Sequence, residues 1–309
     1  MSHNNCISKV AVVQDSPVFL DKEATIEKVC TLIKAASQQG ANLILFPEAF
    51  ISGYPDWVWT LPAFKKQDIS KMFTALYNSS ISTTDKAIKL LCESAKLNNI
   101  IVVIGANEKN SERSNATLFN SMIYIDNTGK LLGIHRKLIP TKSERMMWGQ
   151  GDGNSLLSFD TSIGKIGGLL CWENYMPLAR NVMYEAGVQI YLAPTWDSSE
   201  TWLNAMRHIA FEGGMFVLST AQAIKKDEIP DEYEFKKLYA DDREWINKGN
   251  SCIINPQGQI ISDPLKERQG IIYADMDLNE ITNQKWQFDV AGHYARPDVF
   301  DFSVNKKGD

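Results

Sequence analysis

The stretch Val10–Phe46, VAVVQDSPVFLDKEATIEKVCTLIKAASQQGANLILF, reads as strand, helix, strand. Val10-Ala11-Val12-Val13 is a short, mostly β-branched apolar run, the pattern of a buried strand. From Asp21, a residue suited to capping, the spacing predicts a helix. It places Ile26, Val29, Cys30, Ile33 and Ala36 on one face and stops at Gly40. Leu43-Ile44-Leu45-Phe46 is the next strand. Apolar strands alternating with amphipathic helices are the pattern of an α/β or layered α+β domain.

The unit repeats downstream. A helix with Ala87, Ile88, Leu91, Cys92 and Ala95 on one stripe leads into the apolar strand Ile100–Ile104. Ser121–Ile125 and Lys130–His135 flank Asp126-Asn127-Thr128-Gly129, turn residues that predict a hairpin. Lys165–Leu170 is a strand running into Cys171. Pro177 opens a helix that Gly187 ends, and Val188–Ala193 is again strand. The strongest helix places Trp202, Ala205, Met206, Ile209, Ala210 and Gly213 on one face. Gly214–Ala221, Ser251–Ile254, Gln259–Ile261 and Gly270–Ala274 read as strands, and Lys225–Lys248 reads as a charged, mobile insertion. No Pro/Gly/Ser linker divides the chain, so a single domain over 1–309 is expected, with a core of about 8–300 and a short tail over 301–309.

Over 309 residues, 44% hydrophobic and 22% charged content exclude a disordered or fibrous chain. With 32 Lys and Arg against 37 Asp and Glu, and no basic run beyond Lys306-Lys307, nucleic acid and anionic membranes are poor partners. Five cysteines, odd in number and widely spaced, form neither a disulfide framework nor a zinc knuckle. Met1–Asn5 begins no secretory leader, and no apolar run approaches a membrane span. A soluble, cytoplasmic protein is expected.

Three polar residues of complementary chemistry stand where apolar strands end: Glu48, Lys137 and Cys171. Strand ends are where side chains from distant parts of such folds converge on a ligand. A cysteine attacks electrophilic carbon as thiolate, and a nearby ammonium, here Lys137, lowers its pKa. A carboxylate, here Glu48, serves as general base for the thiol and then for water. Cys6, Cys30, Cys92 and Cys252 read instead as buried core thiols. His3, His135, His208 and His293 lack metal-ligand spacing, and His208 reads as a hydrogen-bonded structural histidine. Gly149-x-Gly151-x-Gly153 follows no strand directly and reads as a loop, and no GxSxG elbow is present.

Phe46-Pro47-Glu48-Ala49-Phe50, His135-Arg136-Lys137-Leu138-Ile139-Pro140-Thr141 and Gly168-Leu169-Leu170-Cys171-Trp172-Glu173-Asn174 resemble the three signature segments of the nitrilase, or carbon-nitrogen hydrolase, superfamily. The resemblance runs from about Val10 to Phe300 and takes in Glu144–Gly149, Arg207–Gly213 and Gly292–Asp298. It implies a four-layer αββα sandwich, a Glu48-Lys137-Cys171 triad without metal or organic cofactor, and Glu144 as an additional active-site glutamate. Trp172-Glu173-Asn174 after the cysteine, and the long Pro140–Arg145 segment, resemble the branch that hydrolyses nitriles and cyanide. The implied reaction converts an organic nitrile to carboxylic acid and ammonia. A cyanide dihydratase or hydratase, then an amidase, and remotely a non-catalytic ligand-binding member are the alternatives.

Tyr54, Trp148, Trp172, Thr195 and Trp196 match pocket-lining positions of nitrilases, whereas Trp57 and Trp59 are open between pocket wall and lid or subunit contact. An aromatic lining favours apolar nitriles. The family pairs subunits through helices near the active site. Eleven residues follow Asp298, too few for the elongating tail many members carry, so a homodimer or small closed oligomer is expected.

Overall fold

The computed structural model describes residues 7–112, 116–263 and 265–306. Met1–Asn5, with His3, and also Cys6, Lys307 and the last two tail residues lie outside these described residues. The first half of the chain contains β1 (Ile7–Gln14), α1 (Lys22–Gln38), β2 (Leu43–Leu45), α2 (Trp57–Thr60), α3 (Lys66–Ser79), α4 (Lys86–Leu97), β3 (Ile101–Lys109), β4 (Leu118–Ile125) and β5 (Leu131–Arg136). The second half contains β6 (Ser158–Thr161), β7 (Gly164–Gly168), α5 (Pro177–Glu185), β8 (Ile190–Thr195), α6 (Glu200–Gly213), β9 (Phe216–Ala221) and β10 (Ala223–Lys225). β11 (Trp245–Ile254), β12 (Leu265–Lys266), β13 (Gly270–Asp277) and α7 (Asn279–Gln287) complete it. Two sheets result, one in the order β13-β1-β2-β3-β4-β5 and the other in the order β10-β11-β9-β8-β7-β6, with β12 beside β11.

Alternation along the strands explains the four layers. Side chains of a strand point to opposite faces in turn, so a run that is apolar throughout must be covered on both faces. Val10, Val12, Leu43, Leu45, Ile101 and Val103 share one core with Ile166, Ile190, Leu192, Phe216 and Leu218 of the facing sheet. Their neighbours Ala11, Val13, Ile44, Val102 and Ile104 pack outward on Ile26, Val29 and Ile33 of α1 and Ile88 and Leu91 of α4. Tyr191, Ala193 and Val217 pack outward on Met183 of α5 and Met206 and Ile209 of α6. The αββα sandwich is thus built from strands buried on both sides, each fully buried Val, Leu or Ile contributing about 1.5–3 kcal/mol. Asp21 caps α1 by accepting from the Ala24 N–H at 2.9 Å, and Gly40 follows its end at φ +81°.

Strand direction positions the site. β1, β2 and β3 are parallel, as are β7, β8 and β9. β4 runs against β3 and β5 against β4, so β5 ends at the same edge as β2. Glu48 and Lys137 therefore leave one edge of the first sheet, and Cys171 leaves the second just past β7.

Several expectations are corrected. Gln259–Ile261 forms only an isolated bridge, Ile260 to Ile254, because the turn around Gly258 leaves too little chain to extend a ladder. Lys225–Lys248 is not a loose insertion: Ile229, Phe235, Tyr239 and Ile246 are buried within it, and Phe235 packs its ring 5.6 Å from that of Trp57. His208 lies on the solvent face of α6, 3.6 Å from Glu212, beyond hydrogen-bond reach. Cys30 and Cys92 are half-buried at the edge of the core, whereas Cys252 is buried.

Candidate active site

Glu48 sits in a tight turn after β2, with Ala49 at φ +49°. The turn presses against β3 at Gly105, where a Cβ would lie 2.3 Å from the Pro47 carbonyl oxygen, so no larger residue fits. The Glu48 carboxylate is fully buried. Its Oε1 accepts from Asn120 Nδ2 at 2.7 Å and from Lys137 Nζ at 2.8 Å, while Oε2 has no hydrogen-bond partner among the described residues. Lys137 Nζ also donates to Glu144 Oε2 at 2.8 Å and faces the Trp148 ring at 5.9 Å. Glu144 belongs to the 3₁₀ turn Lys142–Met146. Its Oε2 accepts from the Thr141 N–H at 2.6 Å and its Oε1 from Tyr54 Oη at 2.6 Å. One buried ammonium thus bridges two buried carboxylates, a group that is stable only when every charge has a partner.

Burial pulls the Lys137 pKa down, but the charges of Glu48 and Glu144 outweigh it and hold the amine protonated. Burial lifts the Glu48 carboxyl above its ordinary range, with Lys137 opposing.

Cys171 opens the 3₁₀ turn Cys171–Tyr175 at φ +50°, a left-handed conformation that costs a non-glycine residue of order 1 kcal/mol. Asn174 holds the turn, donating from Nδ2 to the Leu169 and Cys171 carbonyls at 3.0 and 2.7 Å, and Tyr191 Oη steadies Asn174 Oδ1 at 2.7 Å. Thr195 Oγ1 lies 3.2 Å from Cys171 Sγ. Burial and then the charge of Glu48 push the thiol pKa well above its ordinary value, and Lys137 and Thr195 only partly offset them. Burial and Glu48 thus favour the thiol, and Lys137 favours the thiolate.

A cavity of about 450 Å³ opens above Cys171, walled by Tyr54, Trp59, Glu144, Trp172 and Trp196, with Asn247 at its edge. Tyr54 and Trp196 stack at 4.2 Å and 5°. Trp59 Nε1 donates to Tyr54 Oη at 3.2 Å, continuing the chain from Glu144. Trp172 flanks the mouth, its Nε1 bonded to Asp197 at 2.9 Å and Lys142 Nζ over its ring at 5.5 Å.

The carbon-nitrogen hydrolase family pattern matches residues 9–285. The chain belongs to this family. It is 41% identical to nitrilase 2 of Arabidopsis thaliana over 98% of this chain and 90% of that one. It is 40% identical to a nitrilase of Bradyrhizobium diazoefficiens over 97% and 92%. A carbon-nitrogen hydrolase from Helicobacter pylori, 19% identical, shares the fold at a TM-score of 0.72 over 96% of this chain and 98% of that one. Saccharomyces cerevisiae Nit3, 21% identical, does so at 0.72 over 94% and 97%. This carbon-nitrogen hydrolase is therefore an enzyme that cleaves carbon-nitrogen bonds.

The hydrolase brings Glu48, Lys137, Glu144 and Cys171 to one place. Tyr54, Trp172 and Trp196 line its cavity. Thr195 is buried behind Cys171, and Trp148 lies behind Tyr54, edge-on at 5.7 Å, with its Nε1 on Asn107 Oδ1 at 2.8 Å. Trp57 is fully buried against Phe19, away from the cavity, whereas Trp59 is a wall residue. Asn120 and Asn247 escape sequence reading because an asparagine in a strand carries no pattern until its partners are known; Asn174 stands in the signature segment, but its part in holding the turn does not show there. No group of three or more His, Cys, Asp and Glu able to hold a metal ion occurs among the described residues.

Proposed function

We propose that the enzyme is a nitrilase that converts an organic nitrile and two waters to the carboxylic acid and ammonia. The observation that carries this reading is the near-full-length identity to two nitrilases; the geometry supports the chemistry. As Cys171 Sγ bonds to the nitrile carbon, its proton passes through Glu48 to the nitrile nitrogen, whose developing charge Lys137 stabilises, and Glu48 returns to the carboxylate. The product of this step is a thioimidate. Water, activated by Glu48, adds to the same carbon, the carbon-nitrogen bond breaks, and ammonia leaves an acyl thioester. A second water cleaves the carbon-sulfur bond and returns the proton to Cys171. Glu144 keeps Lys137 from collapsing onto Glu48 alone.

A 450 Å³ cavity walled by stacked rings is far larger than hydrogen cyanide requires and suits an apolar, ring-bearing nitrile. Ammonia and carboxylate release over aliphatic, aryl, arylacetic and dinitrile compounds, their amides and cyanide tests the reading. Turnover is expected for nitriles with a ring; turnover of amides alone, of cyanide alone, or binding with none overturns it.

The same reading takes the chain as one carbon-nitrogen hydrolase domain in the cytoplasm, where unpaired thiols such as Cys30, Cys92, Cys171 and Cys252 persist. It also takes the chain as a homodimer or small oligomer, supported by the exposed Leu178 of α5 and Phe211 of α6. Light scattering tests the assembly: a monomer at working concentration, or a filament, overturns it.

A further inference from the structure

Glu173 lies two residues past Cys171 and is buried. Its carboxylate accepts three N–H groups. Oε2 takes the Leu170 N–H at 2.7 Å and His135 Nε2–H at 2.9 Å, and Oε1 takes the Leu138 N–H at 2.6 Å. Leu170 immediately precedes Cys171, and Leu138 immediately follows Lys137. One carboxylate therefore ties the backbone of the nucleophile to the backbone of the cation.

The two backbones belong to different sheets, Lys137 following β5 and Cys171 following β7. Between those sheets lies an apolar core, whose attraction is non-directional and holds them together without fixing their slide. Hydrogen bonds are directional, and three of them converging on a buried carboxylate set the register that the core leaves free.

His135 completes the arrangement from β5. Its Nδ1 lies 2.8 Å from the Ser155 carbonyl oxygen and its Nε2 2.9 Å from Glu173 Oε2. A carbonyl only accepts, and Glu173, already taking two backbone N–H groups, also accepts. The ring must then donate from both nitrogens, which makes it a cation. Burial opposes that charge, but the Glu173 carboxylate and the Ser155 carbonyl outweigh it, so His135 titrates above its ordinary range. Among the described residues, the phenols of Tyr124 on β4 and Tyr191 on β8 also feel the Glu173 charge, and burial keeps both neutral.

We propose that Glu173, paired with a cationic His135, is a positioning residue that sets the placement of Lys137 relative to Cys171. The proposal rests on the reading of Cys171 as nucleophile, but its test does not require a nitrile. Glu173→Gln puts an amide N–H against one of the three donors. Its kcat should fall about tenfold to a hundredfold while KM moves less than about threefold, because displacements near 1 Å cost that much in rate. Alkylation of Cys171 by iodoacetamide should slow with it. A folded Glu173→Gln protein that keeps both rates overturns the proposal. Should this variant not fold, His135→Gln, which retains a donor toward Glu173, should recover most of the alkylation rate that His135→Leu loses; equal rates overturn it. In the wild-type chain, nitrogen NMR should show both ring nitrogens of His135 protonated near neutral pH, and a neutral ring overturns it. Absence of nitrile turnover in wild type would instead remove the proposed function and leave the alkylation and NMR readouts standing.

Discussion

Thr195 Oγ1 donates to Cys171 Sγ across 3.2 Å, and the same oxygen accepts the Asp197 N–H at 2.9 Å. The backbone contact turns the hydroxyl hydrogen toward sulfur, so Thr195 stabilises the thiolate more than the thiol and lowers a pKa that burial and Glu48 raise. Thr195→Val keeps the shape and removes the donor. A hydrogen bond to a charged group contributes about 1.5–3 kcal/mol, so alkylation of Cys171 at fixed pH is expected to slow about tenfold or more. An unchanged rate would show that the hydroxyl does not act on sulfur.

Cys171→Ala is expected to release no ammonia and to keep the fold, since the left-handed turn is held by Asn174 rather than by the sulfur. Cys92, half-buried beside α1, should accept alanine with a change in melting temperature and none in kcat. Ammonia release and thermal melts on both proteins check the pair of statements; nitrile hydrolysis by Cys171→Ala refutes the nucleophile.

Lys137→Met removes the bridge between Glu48 and Glu144 and leaves two buried carboxylates facing one another. Breaking such a group typically costs about 3–5 kcal/mol, so the variant should melt earlier. Its kcat should fall on the order of 10²-fold or more through loss of the charge opposite the developing nitrogen anion. Near-normal kcat would mean that Lys137 has no such role.

In the proposed reaction Glu48 must be ionised to take the Cys171 proton, and burial holds its pKa above the ordinary range. Protonation therefore begins at a higher pH than for a solvated glutamate. As pH falls, kcat/KM should drop along a limb centred above about 4.3, the ordinary value. The same raised pKa means that the folded state binds this proton more tightly than the unfolded one. The group's contribution to stability is thus greatest below the ordinary value and is lost as pH rises through the raised one. A pH profile of kcat/KM whose acid limb lies at or below about 4.3 contradicts this account.

What could be seen in the sequence follows from where information is local. The strand Val10–Val13, the capped helix after Asp21 and the stop at Gly40 depend on neighbouring residues, and each stands where its pattern puts it. Glu48, Lys137 and Cys171 were legible as polar residues ending apolar strands. The raised pKa of Cys171 was not, because it depends on burial and on Glu48, more than a hundred residues away. Phe235 and Tyr239 stand four apart among charges, a pattern of one turn that is too short to mark a buried face. His135 and Glu173 lie 38 positions apart, and only the sandwich brings them together.

The packing of Lys225–Lys248 leads to a final prediction. Tyr239 Oη hydrogen-bonds Asp56 Oδ2, joining this segment to the turn before α2 that carries Trp59 into the cavity wall. Burial raises the Asp56 pKa, and hydrogen bonds from Tyr239 and Trp196 offset part of that. Trp196 is in turn the partner stacked on Tyr54. Tyr239→Phe leaves the ring on Phe235 but strips Asp56 of a donor, and a buried acceptor left unsatisfied costs about 1–3 kcal/mol. Asp56 should then draw in water or shift toward Trp196, and the aromatic wall should loosen. The melting temperature is expected to fall and KM for a ring-bearing nitrile to rise by about threefold or more, whereas iodoacetamide, too small to need the wall, should alkylate Cys171 at the wild-type rate. Exposed Tyr294→Phe serves as the control. Equal melting temperatures and equal KM for Tyr239→Phe and wild type would show that the segment packs beside the cavity without supporting it.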